Sequence, residues 1–153
     1  VDLMTVAEEA VRDIKSCFPQ HIGEIQLIGE KLVIYGKKSI FLKVFENILE
    51  NAIEEAGSKT CITLEISRNF FGNIKIEIQN TGSVIPMHLR SEIFKIYITT
   101  KLGGHGIGLA ICKKLISDSG GTISVSSDDL KKTTKFVISL PNAKILRTID
   151  SIC

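Results

Sequence analysis

Between Phe41 and Ala56 the apolar residues Phe41, Val44, Phe45, Ile48, Leu49, Ala52, Ile53 and Ala56 recur at steps of three and four. That is the period of an α-helix with one buried face, and such a helix persists only where another layer covers its stripe. Gly57 is placed to cap it. On the margin of the stripe, Asn47 and Asn51 are four apart, hence about 40° from each other around the axis and one turn apart. Asparagine prefers caps and turns to helix interiors, so the pair has two readings. Either it belongs to a solvated face, or its amide oxygens serve a hard cation such as Mg²⁺, which takes oxygen ligands and keeps water and phosphate oxygens around it.

Two further segments carry signals of the same kind. Residues 103–109, Gly-Gly-His-Gly-Ile-Gly-Leu, are rich in glycine and run into an apolar-periodic stretch from Ala110 to Ser117. Glycine lets backbone N–H groups approach an anion closely, and a helix that follows aims its positive dipole end at the same place. The spacing of Gly104, Gly106 and Gly108 is GxGxG, without a preceding strand, so a purely steric glycine turn is the alternative. Upstream, Ile74, Ile76 and Ile78 alternate with Lys75, Glu77 and Gln79, the mark of a half-buried strand ending near Asn80, beside a turn at Gly82.

Taken in order, these segments resemble the catalytic ATP-binding domain of two-component sensor histidine kinases, of the superfamily shared with gyrase and the heat-shock and mismatch-repair ATPases. Asn47-Ile-Leu-Glu-Asn51-Ala is similar to the N box, and Asn80-Thr-Gly-Ser-Val-Ile-Pro86 to the first glycine box. Ile93-Phe-Lys-Ile-Tyr-Ile-Thr-Thr-Lys101 resembles the F box with the start of the ATP lid. Gly104-His-Gly-Ile-Gly-Leu109 resembles the second glycine box, and Thr134-Lys-Phe-Val-Ile-Ser-Leu-Pro141 the closing strand.

The resemblance implies an α+β fold, a two-layer sandwich of the Bergerat (GHKL) type with helices on one face of a mixed sheet. It implies ATP and Mg²⁺ as cofactors, with Asn51 as metal ligand and Asn47 lining the same pocket. Asn80, Gly82, Ile85 and Thr134 would surround the adenine. Thr99, Thr100, Lys101, Gly104, His105, Gly106, Ile107, Gly108 and Leu109 would form the lid and phosphate loop. Lys101 is the candidate catalytic cation, because Glu54 falls where many of these kinases carry a lysine. In hydrolytic relatives the position of Asn47 holds a glutamate that activates water, and a neutral amide cannot take that proton. Glu46 and Glu50 project away from the asparagine pair.

Some departures from the pattern bear on affinity. Asn80 stands where an aspartate usually accepts a hydrogen bond from the adenine amino group. Bonds to charged groups contribute about 1.5–3 kcal/mol against about 0.5–1.5 for neutral ones, so weaker ATP binding is expected. Val84 replaces a glycine, and the lid is short. Both are reminiscent of nitrogen-sensor kinases.

The implied chemistry is transfer of the ATP γ-phosphoryl group to a histidine on a separate dimerisation domain, then to a response regulator. His21 and His88 lie in loop-like contexts unsuited to be that acceptor. The alternatives are a nucleotide-binding module with weakened or lost transfer, or a hydrolytic ATPase of the same fold.

Composition is consistent with this. A net charge of +2 with scattered lysines offers no nucleic-acid footprint. Cys17, Cys61, Cys112 and Cys153 lack zinc spacing, and they are expected to be reduced cytoplasmic thiols with Cys112 in the core. No apolar run approaches the roughly 20 residues that cross a bilayer, so direct membrane contact is not expected; the isolated domain is expected to be a monomer. Helices are predicted at Thr5–Phe18, Phe41–Ala56 and Leu109–Ser117. Strands are predicted at Ile22–Leu27, Lys31–Tyr35, Thr60–Ser67, Asn73–Gln79, Thr122–Ser126 and Lys135–Leu140. Residues 1–141 would form the domain, with 142–153 an extension of unknown role.

Overall fold

The structure, a computed structural model, describes residues 1–95 and 108–145, with only the backbone of Ala143. Its strands β1 (Ile25–Gly29), β2 (Ile62–Arg68), β3 (Ile74–Thr81), β4 (Thr122–Asp128) and β5 (Thr133–Leu140) form one sheet in the order β1-β2-β3-β5-β4. The β1–β2 pair is parallel and the others antiparallel, so the sheet is mixed. Alternation sets its two faces. Ile62, Leu64 and Ile66 of β2, Ile74, Ile76 and Ile78 of β3, and Phe136, Ile138 and Leu140 of β5 are buried, and register places Ile76 opposite Ile138 and Ile78 opposite Phe136. Helices α1 (Leu3–Cys17), α2 (Lys38–Ala56) and α3 (Gly108–Asp118) share the core with this apolar face. The other face is polar, with Glu77 paired to Lys75 at 2.7 Å and to Lys135 at 3.9 Å. The expected two-layer sandwich is thus the architecture found.

Several boundaries differ for identifiable reasons. α1 begins at Leu3 rather than Thr5 because the Asp2 carboxylate caps it, accepting from the N–H groups of Met4 at 3.0 Å and Thr5 at 3.4 Å. β1 begins only at Ile25, since the N–H groups of Ile22 and Gly23 are both spent on the carbonyl of Ser58. The expected strand at Lys31–Tyr35 is not one. Only isolated bridges form there, Val33 with Asp2 and Ile34 with Ile145, because its partners are short stretches near either end of the described chain rather than a full strand. α2 starts earlier than its apolar stripe, at Lys38, and ends where expected. There Gly57 takes φ 92° and ψ 179°, a region essentially reserved for glycine, and returns its N–H to Ile53. α3 stops at Asp118, with Gly120 at φ 85°.

α2 packs along α1 as well as over the sheet, and their contact carries one unusual group. Burial, then the hydrogen-bonded and like-charged Asp13, raises the Glu46 carboxyl to about 7, with Glu9 adding to this and Lys43 opposing it. A carboxyl whose folded pKa lies above its unfolded one binds more protons in the native state between the two values. Stability therefore falls as pH rises from about 4.5 to about 7. Glu46→Gln should remove that slope and raise stability at pH 8 by about 1 kcal/mol, roughly 2–4 °C in Tm. Melting curves at pH 5.5 and pH 8 check this, and parallel losses in wild type and variant would contradict it.

Cys112 is fully buried, with its Sγ 3.7 Å from the Val44 carbonyl, and burial pushes its thiol up to about 11. Cys17 and Cys61 are exposed. In the native protein Cys112 should resist Ellman's reagent while those two react, and it should become reactive only in denaturant. Mass mapping of the labelled cysteines decides this.

Candidate functional site

Helix α2 touches both segments that the sequence singles out, at two places along its length. Toward its middle, the Asn47 amide nitrogen donates to the carbonyl of Gly108 at 3.4 Å, where α3 leaves the glycine-rich segment. A Cβ on Gly108 would meet the Asn47 amide at 3.7 Å, an ordinary contact. At the C-terminal end, Ala56 lies under the turn after β3. A Cβ on Gly82 would sit 3.6 Å from the Ala56 carbonyl, and Gly82 itself holds φ 87°. From residue 47 to residue 56 a helix rises about 14 Å. Asn51 stands between these two contacts, half-buried, and its amide takes no hydrogen bond among the described residues.

Asn80 and Thr134 face each other across β3 and β5, and both are almost wholly buried. Asn80 Nδ2 donates to Ser83 Oγ at 2.8 Å and to the Thr81 carbonyl at 3.3 Å. Thr134 Oγ1 donates to the Ser83 carbonyl at 2.9 Å, lies 2.9 Å from Ser127 Oγ, and accepts a long bond from Ser83 Oγ at 3.4 Å. Ser127 Oγ also receives the N–H of Ile85 at 3.0 Å. Arg90 ties the same loop down by donating to the carbonyls of Ile85 at 3.1 Å and Ser127 at 3.4 Å. Gly82 closes the turn through its N–H to Lys132 at 2.8 Å.

Asn47, Asn51, Asn80, Gly82, Ile85, Gly108, Leu109 and Thr134 therefore lie on elements joined by these contacts, Leu109 packing half-buried against the core. Thr99, Thr100, Lys101, Gly104, His105, Gly106 and Ile107 lie outside the described residues. The segment leading to them is anchored by Phe94. Its buried ring meets Phe136 edge-on at 6.2 Å and has Lys113 above it at 5.7 Å. Ser83, Ser127 and Arg90 escaped sequence reasoning. Ser83 sits inside the first glycine box and was the one within reach, whereas Ser127 and Arg90 become relevant only through the β4–β5 register and the loop's path.

Other candidates resolve otherwise. Glu46 is turned toward Asp13 on α1. His21 Nε2 lies 2.8 Å from the Thr60 carbonyl, which can only accept, so this nitrogen carries the proton. Among the described residues no three His, Cys, Asp or Glu side chains gather as a metal cluster. A cavity of about 270 Å³ lined by Gln79, Ser126, Ser127, Asp128, Lys131, Thr133 and Lys135 is distinct from the site. Gln79 and Lys135 alternate with Asn80 and Thr134 and so open onto the opposite face of the sheet.

A profile of the family described as histidine kinase-, DNA gyrase B- and HSP90-like ATPases matches residues 36–144. The chain belongs to this family. It is 30% identical over 156 residues to the sensory histidine kinase/phosphatase NtrB of Azospirillum brasilense, covering 92% of this chain and 38% of that protein. It is 31% identical over 147 residues to the probable sensor histidine kinase TcrY of Mycobacterium tuberculosis, covering 92% of this chain and 30% of that one. The chain thus spans about a third of the length of these relatives. Among solved structures, the mycobacterial sensor histidine kinase MprB aligns with a TM-score of 0.83 at 21% identity, over 92% of this chain and 96% of its own. Full-length ShkA in complex with AMPPNP aligns with a TM-score of 0.83 at 19% identity, over 97% of this chain and 31% of its own. Both share the fold.

Within this family member the two glycines at the ends of the site differ in what they tolerate. Gly82→Ala forces a side chain into positive φ and should destabilise the domain by about 1 kcal/mol or more, whereas Gly108→Ala should stay within about 0.5 kcal/mol. Urea midpoints of the two variants test this, and a costlier Gly108→Ala would overturn it.

Proposed function

We propose that this chain is the catalytic ATP-binding domain of a sensor histidine kinase, which donates the γ-phosphoryl group of ATP to a histidine on a separate dimerisation domain of the full-length protein. A response regulator then receives the group. The observation that carries the proposal is that α2 abuts the start of α3 through Asn47 in its middle and the Asn80 turn through Ala56 at its C-terminal end, with Asn51 between them along the axis and its amide without a hydrogen bond among the described residues. Adenine would lie at the Asn80 and Thr134 end, with Gly82 and Ile85, and the phosphates at the Gly108 end, where α3 offers its N-terminus. Residues 1–141 are proposed as the domain and 142–153 as its extension, in a cytoplasmic setting. No helix among the described residues is long and apolar enough to cross a membrane.

Mg²⁺ fits the donor set: a half-buried amide oxygen at Asn51 with no hydrogen-bond partner to give up among the described residues, beside a place for phosphate oxygens. When bound, the ion would neutralise charge on the phosphates. The chain's own residues do the positioning that phosphoryl transfer mainly requires. Asn47 holds the α3 N-terminus in place, Thr134 and Ser83 hold Asn80, and Lys101 is proposed to add a cation from the lid.

Steady hydrolysis of ATP is disfavoured by the same residues. Asn47 is a neutral amide already engaged with Gly108, and Glu46 is committed to Asp13. Neither is placed to deprotonate water.

Asn51→Ala should leave Tm unchanged and weaken ATP binding about tenfold in Mg²⁺ but little in EDTA, as read by calorimetry. The wild-type chain should bind ATP, turn it over negligibly alone, and phosphorylate an added histidine-bearing dimerisation domain. Steady release of phosphate without that acceptor would favour the hydrolytic reading. ATP binding with no transfer to any acceptor supplied would favour a binding module.

A further inference from the structure

Asn80 is an amide where a carboxylate would present acceptors alone. A free amide can rotate to offer either its oxygen or its nitrogen, and adenine and hypoxanthine differ at that edge: an exocyclic amino group beside a bare N1 in one, a carbonyl oxygen beside an N1–H in the other. We infer that Ser83, acting through a directed chain of hydroxyl protons, locks the Asn80 amide so that only its oxygen faces the ligand, making Ser83 the positioning residue for adenine over 6-oxopurines. This rests on the nucleotide reading above and names its base selectivity.

The direction of every proton in the chain follows from groups that cannot change role. The Ser83 carbonyl accepts only, so the Thr134 hydroxyl proton points to it across 2.9 Å. Thr134 Oγ1 is then left to accept, from Ser127 at 2.9 Å and from Ser83 at 3.4 Å. Ser127 can spend its proton there because its oxygen receives the N–H of Ile85. With its own proton given to Thr134, Ser83 Oγ accepts from the Asn80 amide nitrogen at 2.8 Å.

The second amide proton is held by the Thr81 carbonyl at 3.3 Å. A flipped amide would set its oxygen against that carbonyl, and would keep its contact with Ser83 only if the hydroxyl turned its proton away from Thr134. Asn80 Oδ1 takes neither of these bonds, and no fully buried side-chain nitrogen or oxygen among the described residues lacks a partner. The oxygen is therefore the part of this nearly buried residue that opens outward.

An outward oxygen accepts from the 6-amino group of adenine and repels the 6-oxygen of hypoxanthine or guanine. Inosine triphosphate is the clean probe, since it lacks guanine's 2-amino group. By competition calorimetry, the wild-type chain with Mg²⁺ should prefer ATP to inosine triphosphate by about tenfold or more. Ser83→Ala should bring the two within roughly threefold, mostly by tighter binding of inosine triphosphate to an amide now free to turn. Asn80→Asp in the Ser83→Ala background should restore the preference, because a carboxylate has no donor to offer; a merely structural loss would not be rescued this way.

If Ser83→Ala fails to fold, Thr134→Val serves. It removes the acceptor for the Ser83 proton and should relax the preference in the same direction by a smaller factor. An unchanged ratio in variants that bind ATP, or a double variant that stays relaxed, overturns this inference alone. A wild-type chain that binds neither nucleotide overturns the nucleotide site and the inference together.

Discussion

Helix α2 is pinned on two sides, by the sheet beneath it and by α1 alongside, and the rotation this imposes decides which of its polar side chains are left for chemistry. Phe41, Val44, Phe45, Ile48 and Leu49 are essentially without exposure. Burying such residues contributes about 1.5–3 kcal/mol each, so turning the helix by even one residue, about 100°, would cost far more than any single polar contact could recover. Asn47 and Asn51 are thereby held on one margin of the buried stripe and Glu46 on the other, against α1. The placement of the candidate metal ligand is in this sense a by-product of core packing.

The sheet plays the corresponding part for the Asn80 end of the candidate site. Its register brings Asn80 opposite Thr134 in line with the apolar pairs Ile78–Phe136 and Ile76–Ile138. A slip of one residue would expose the whole row together with the polar pair. Two polar residues continue a column of buried apolar ones, and they can do so because the Thr134 hydroxyl and the Asn80 amide N–H groups are satisfied by Ser83 and Ser127 and by backbone carbonyls. The same bonds that make burial tolerable give the network its orientation.

Much of this was legible in the chain. The 3.6-residue period in Phe41–Ala56 and the twofold alternation in Ile74–Gln79 place α2 and β3, and the spacing of the asparagines puts both amides on one flank. The readable signals were local ones. What escaped was decided by partners far away in sequence. The Asp2 cap is overlooked when a helix start is sought at its first apolar repeat. Lys31–Tyr35 has strand composition, yet it finds only single bridges because what lies beside it comes from Asp2 and Ile145. Ser127 and Arg90 enter the site through β4–β5 pairing and a loop path that no periodicity encodes. The lid candidates Thr99 to Ile107 lie outside the described residues.

The charge pattern around α2 ties packing to chemistry. The candidate site draws neutral amides from α2, Asn47 and Asn51, while the raised carboxyl of Glu46 is spent at the contact with α1, where burial and then Asp13 keep it from ionising easily. A base beside a bound triphosphate would deprotonate water as readily as any other acceptor, and general base catalysis is worth about 10²–10⁴-fold in rate. In the proposed nucleotide site, leaving that factor out of the cleft would let the phosphates be gripped by dipoles and backbone donors without inviting water to react. In a domain proposed to wait for a histidine from elsewhere, the nucleophile must bring its own basicity, as an imidazole does and a water molecule does not.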